Sequence, residues 1–167
     1  MTAKFDFITD DELRFILAAD YKEMRNCADS KAWKAVHVLA GSIIEAVVLD
    51  YLIAEKHLPH DKAMKLELSP AIDLAADKGI LSEKLRSLSV IIKNYRNLVH
   101  PGRSVRLKDS PDDKNSNIAI ALVEMICEEL SDRKASHGYT AEQIISKIRR
   151  DFSVNAISGR FTRRDVR

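Results

Sequence analysis

The chain has 167 residues, close to the usual size of one domain built around one core. Its hydrophobic fraction of 46% beside a charged fraction of 31% excludes a disordered polymer. A net charge of +2 is too small to argue for nucleic-acid binding by itself, and five Gly and four Pro leave long unbroken stretches that favour helices over a many-stranded sheet.

The predicted elements follow in chain order. Met1 to Asp11 carries no apolar core of signal-peptide type. Thr9 with Glu12 three residues on reads as a capping box, opening a first helix over Asp10 to Cys27 with Leu13, Ile16, Leu17 and Tyr21 on one face. Asp29 or Ser30 is then expected to cap a long second helix reaching about His57. Its apolar stretch, Ala35 to Ala54, is interrupted by His37, Ser42, Glu45 and Asp50, a polar load that predicts a buried helix of a soluble bundle rather than a membrane span.

Leu58 to Leu68, with Pro59, reads as a connector. Ser69-Pro70 signals a short third helix that ends at Lys78-Gly79. Ser82 is expected to cap a fourth, with Leu85, Leu88, Ile91, Ile92, Tyr95 and Val99 at core spacing and Pro101-Gly102 as its stop, followed by a polar connector. Ser110-Pro111-Asp112-Asp113 starts a fifth helix to about Leu130, and Thr140 with Gln143 a sixth to about Arg150. The reading is an all-α, antiparallel bundle of five to six helices in one domain over residues 1–150. A basic tail over 151–167, with Arg160, Arg163, Arg164 and Arg167, follows it.

Cys27 and Cys127 each fall in a predicted helix and outside any CxxC pair. Two reduced thiols of a cytoplasmic protein are the expectation, with one disulfide left open. His57, His60 and Asp61 have metal-capable side chains, but the helix ends among them and no Cys is near, so no metal site is expected and no cofactor motif is present.

The informative feature is Arg96-Asn97-Leu98-Val99-His100. Arg96 and His100 are four apart, which on one helix puts them on nearly the same face, one turn apart. Arg96 is a permanent cation with a planar fork suited to phosphate, His100 can exchange a proton near neutral pH, and Asn97 can orient either group or a ligand. On the second helix, His37, Gly41, Ser42 and Glu45 form a polar stripe, and buried polar groups need partners. The expectation is that Glu45 or Ser42 faces Arg96 or Asn97, with Gly41 permitting close approach. Arg103, Arg106 and Lys108 add positive charge beyond the motif, suited to RNA near His100.

The segment Lys93 to Arg103, with the helix carrying Gly41-Ser42-Ile43-Ile44-Glu45, resembles the HEPN superfamily over roughly residues 10 to 130. Arg96 corresponds to that family's arginine, Asn97 to its polar position and His100 to its histidine. Three residues intervene here, where the family has four to six. The resemblance implies a helical bundle that forms a homodimer. It further implies one of two roles. The first is a metal-independent endoribonuclease of the toxin or anti-phage defence kind, acting on RNA through Arg96, Asn97 and His100, with a cognate antitoxin or defence-system partner. The second is a non-catalytic module that binds protein or nucleic acid. One local histidine is too few for acid–base cleavage of RNA, and a two-fold dimer would supply the second. The equally simple alternative is that Arg96 ion-pairs to hold two helices and His-Pro-Gly is only a helix stop.

Overall fold

A computed structural model describes residues 5–63 and 65–137. Its described residues form an all-helical fold. The elements are α1 (Asp11–Asp29), α2 (Trp33–Ala54), α3 (His60–Ala63), α4 (Leu68–Asp77), α5 (Glu83–Asn97), α6 (Pro101–Leu107) and α7 (Asp113–His137). Met1–Arg133 is one compact unit and Lys134–Arg167 belongs to a second. The sixth helix expected at Thr140 and the basic tail lie outside the described residues.

α2 is the axis of the first unit. Val36, Ala40, Ile43, Ile44, Val47, Val48 and Leu52 are all buried along it, which is why its sequence is apolar nearly all round. α1, α4 and α5 pack on it. α7 adds Ala119, Leu122, Val123, Ile126 and Leu130 to the same core, and Phe5, Phe7 and Ile8 add to it ahead of α1. α2 has the length and apolarity of a membrane-crossing helix, and here that apolar surface is spent on its neighbours.

Several helix starts differ from expectation. The cap of α1 is Asp10, not Thr9: its Oδ1 accepts from the N–H groups of Glu12 and Leu13 at 2.9 and 3.0 Å. The Thr9 N–H instead donates to Asp50 Oδ2 of α2 at 3.1 Å. Asp29 and Ser30 do not cap α2, because the end of α1 uses them: α1 runs through Asp29, Ser30 is its C-cap, and Lys31 turns left-handed at φ 58°. α2 then starts after Ala32 with no side-chain cap and ends at Ala54, three residues before His57.

α4 begins at Leu68, one residue before Ser69-Pro70, with Glu67 as its N-cap. Its end at Lys78-Gly79 agrees with the sequence, Gly79 taking φ +68°. Ser82 caps α5 as expected, and Glu129 of α7 accepts from both its N–H at 2.7 Å and its hydroxyl at 2.9 Å. Ile16, assigned to the core face of α1, is 46% exposed. Tyr21 is buried and its hydroxyl donates to the Glu124 carboxylate of α7. α7 extends past Leu130 to His137.

The count rises to seven among the described residues because two expected connectors hold short helices, α3 and α6. α6 matters for the site. Pro101 does not simply stop α5; it is the first residue of a new helix, a position where its missing N–H costs nothing.

Candidate functional site

Arg96 and Asn97 close α5, and Leu98, its C-cap, is buried and anchors the chain end in the core. His100 precedes proline and takes an extended backbone, φ −77° and ψ 116°. Its carbonyl accepts from the N–H groups of Arg103 and Ser104 at 3.0 and 3.1 Å, so His100 opens α6. Arg96 and His100 therefore do not share a helix face, contrary to the simple four-residue spacing. They flank a corner between two helices.

The corner still brings them together. Arg96, Asn97 and His100 line one cleft of about 430 Å³ with Glu45 and Val38 of α2, Glu67, Leu68 and Ser69 at the start of α4, and Lys93 of α5. The histidine side chain is exposed, and Arg96 and Asn97 are half-buried.

Arg96 Nη1 donates to Glu45 Oε2 at 3.1 Å. The contact the sequence suggested is thus present, with Glu45 rather than Ser42 as the partner. Gly41 permits it: a Cβ there would stand 3.0 Å from Arg96 Cδ and 3.5 Å from its Nε. The arginine side chain lies in the notch the glycine leaves in α2. The pair keeps 41% and 30% of its side-chain surface in solvent. A pair this wet contributes at most about 1 kcal/mol to stability, so its larger consequence is where it holds the guanidinium.

The polar stripe of α2 divides. Ser42 is exposed and does not line the cleft. His37 is fully buried. Its Nε2 lies 2.8 Å from Asn115 Oδ1, which also accepts from the Asp112 N–H at 2.9 Å, while Asp112 Oδ1 accepts from the Asn115 N–H at 2.8 Å. Asp112 and Asn115 thereby form a reciprocal cap on α7. Because Asn115 Oδ1 is already the acceptor for a backbone N–H, His37 Nε2 carries the proton and donates. Its Nδ1 is buried without a hydrogen-bond partner, and its ring stacks on Tyr95 with centroids 5.1 Å apart. Burial pushes the His37 pKa below its ordinary value, against the opposing pull of Asn115 and Asp112. His37 is a neutral structural post behind the site.

Arg103 and Arg106 are exposed on α6 and do not line the cleft. Both cysteines are free, and burial pushes the Cys127 thiol up to about 12, which keeps it protonated and poorly nucleophilic.

Lys93 and the start of α4 were missed by the sequence reading. Lys93 sits three before Arg96 and seven before His100, a spacing that could have suggested it. The approach of Ser69 to it, Lys93 Nζ donating to Ser69 Oγ at 3.1 Å, is long-range and has no local signal. No family model, curated protein or solved structure matches this chain.

Proposed function

We propose that this chain is a HEPN-like, metal-independent endoribonuclease acting as a toxin or anti-phage defence effector. The observation that carries the reading is that Arg96, Asn97 and His100 line one open cleft although they come from two helices. In the reaction, one histidine removes the proton of a ribose 2′-hydroxyl, and that oxygen attacks the adjacent phosphorus. Arg96 neutralises the charge of the phosphorane. A second histidine protonates the departing 5′-oxygen as its bond to phosphorus breaks. The products are a 2′,3′-cyclic phosphate and a free 5′-hydroxyl.

The second histidine would be His100 of another copy. A homodimer is supported by α6, which buries none of its residues and exposes Val105 and Leu107, at 76% and 59%. The test is incubation of the purified protein with mixed RNA beside His100→Ala. Products ending in cyclic phosphate, lost in the variant, support the reading; equal or absent cleavage at high protein concentration removes it.

The second reading is a non-catalytic HEPN-like module that binds protein or nucleic acid. The observation favouring it is that Arg96 already has a carboxylate partner in Glu45. RNA retention without cleavage would support it.

A further inference from the structure

A second cleft, about 400 Å³, lies between α4 and α5 and shares Leu68, Ser69 and Lys93 with the first. The two clefts adjoin at Lys93 and Ser69, which hydrogen-bond to each other. Their chemistry differs. The first cleft holds Arg96, Asn97 and His100. The second has Val90 on its α5 wall above the buried Ile72, neutral hydrogen-bonding groups from Ser87 and Asn94, and the carboxylates Asp73 and Glu83 beside Arg86.

Its one arginine, Arg86, is already engaged. It meets Asp73 at 3.0 Å, Asp77 at 3.1 Å and Glu83 at 3.8 Å. That end of the cleft offers no free cation for a phosphate. Lys93 is the opposite case: it is exposed, its hydrogen bond goes to the neutral Ser69 hydroxyl, and it has no ion pair among the described residues. Val90 is 53% exposed on this wall, an apolar side chain the core does not use.

From this division we infer that the second cleft is a nucleobase subsite. The nucleotide beside the scissile phosphate lays its base on Val90, over the buried Ile72, presents its edge to Asn94 and Ser87, and places its phosphate on Lys93. The inference rests on the ribonuclease reading for the identity of the ligand and adds where the neighbouring nucleotide sits. An apolar surface with a few polar groups suits a base, and an uncompensated ammonium suits a phosphate.

The experiment measures binding of labelled single-stranded RNA 12-mers of each base to His100→Ala protein, so that nothing is consumed. Lys93→Glu in that background should weaken single-strand binding at least tenfold and lower the salt slope by roughly one unit. Val90→Trp, which fills the cleft from an exposed position, should weaken it several-fold, and Asn94→Ala should flatten differences among the bases. Arg25→Glu, on α1 and outside both clefts, should change nothing. Single strands bound equally by the parent, Lys93→Glu and Val90→Trp proteins would overturn the subsite while leaving the ribonuclease reading intact. A parent that binds no RNA would overturn both. Binding that depends on Lys93 and Val90, in a protein that never cuts, would support the subsite and remove the ribonuclease.

Discussion

Arg96 lies in the notch at Gly41 to reach the Glu45 carboxylate, so the cation of the site is set by the helix that forms the core. Removing that carboxylate separates positioning from stability. Glu45→Ala should shift the melting temperature by no more than about 2–4 °C, the equivalent of roughly 1 kcal/mol in a chain of this size. It should also raise the positive charge of the cleft and free the guanidinium. If the chain is the ribonuclease proposed, RNA should then bind more tightly while kcat falls by about tenfold. Glu45→Gln keeps an acceptor and should recover part of kcat. A purely structural ion pair would leave kcat and KM as they are, and kinetics with melting curves on both variants distinguish the cases.

Gly41 gives a complementary prediction. Alanine gains about 1 kcal/mol of helix propensity over glycine, but its Cβ would meet Arg96 Cδ at 3.0 Å. The obstructing atom belongs to a flexible side chain, so the arginine moves rather than α2. Gly41→Ala should be neutral or slightly stabilising and, on the proposed ribonuclease reading, still lower cleavage by about the same factor as Glu45→Ala. Gly41→Leu, which also meets Ile92, should overpack the α2–α5 contact and cost about 1–3 kcal/mol by denaturant titration.

These two residues also show what the sequence could carry. A glycine and a carboxylate at one-turn spacing in an apolar helix imply a close polar neighbour, because buried polar groups are rarely left unpaired. That argument narrowed the neighbour to Arg96 or Asn97 without coordinates. It failed for His100, where the four-residue spacing assumed one helix and the proline meant two. α5 has already ended at Asn97, and His100-Pro101 starts α6; periodicity does not distinguish an end from a corner. The cap of α7 was hidden for another reason: Asn115 takes the role usually filled by Glu or Gln, while its Oδ1 also meets His37, 78 residues away. Lys93 and Ser69 meet through the packing of α4 on α5, a tertiary fact with no local trace.

The reassigned cap of α1 is directly checkable. Asp10 takes two backbone N–H groups, so Asp10→Ala should cost about 1 kcal/mol, within the usual range of 0.5–2 kcal/mol for a lost N-cap. Asp10→Ser should recover most of it, since serine can also accept from the first turn. Urea denaturation of the pair measures both, and an unchanged midpoint in Asp10→Ala would refute the assignment.

The His37–Asn115 contact predicts acid sensitivity. His37 is buried neutral, with its proton on Nε2 and its Nδ1 facing no acceptor, so the folded chain resists a second proton. Its folded pKa lies below 6.5, whereas the unfolded chain takes up a proton near 6.5. As pH falls below about 6.5 the unfolded state binds more protons than the folded one, and stability is lost until the folded pKa is passed. Asn115→Asp should oppose the effect: a carboxylate still accepts from His37 and the Asp112 N–H, but it favours the imidazolium and raises the folded pKa. Melting temperatures between pH 7.5 and 5 should therefore fall in the wild-type chain and fall less steeply in Asn115→Asp. Asn115→Ala leaves the Asp112 N–H unsatisfied and leaves His37 Nε2 only its longer contact to Ser116 Oγ at 3.4 Å, and should cost about 1–3 kcal/mol at neutral pH. Parallel pH profiles in the wild type and Asn115→Asp would show that His37 does not carry the acid response.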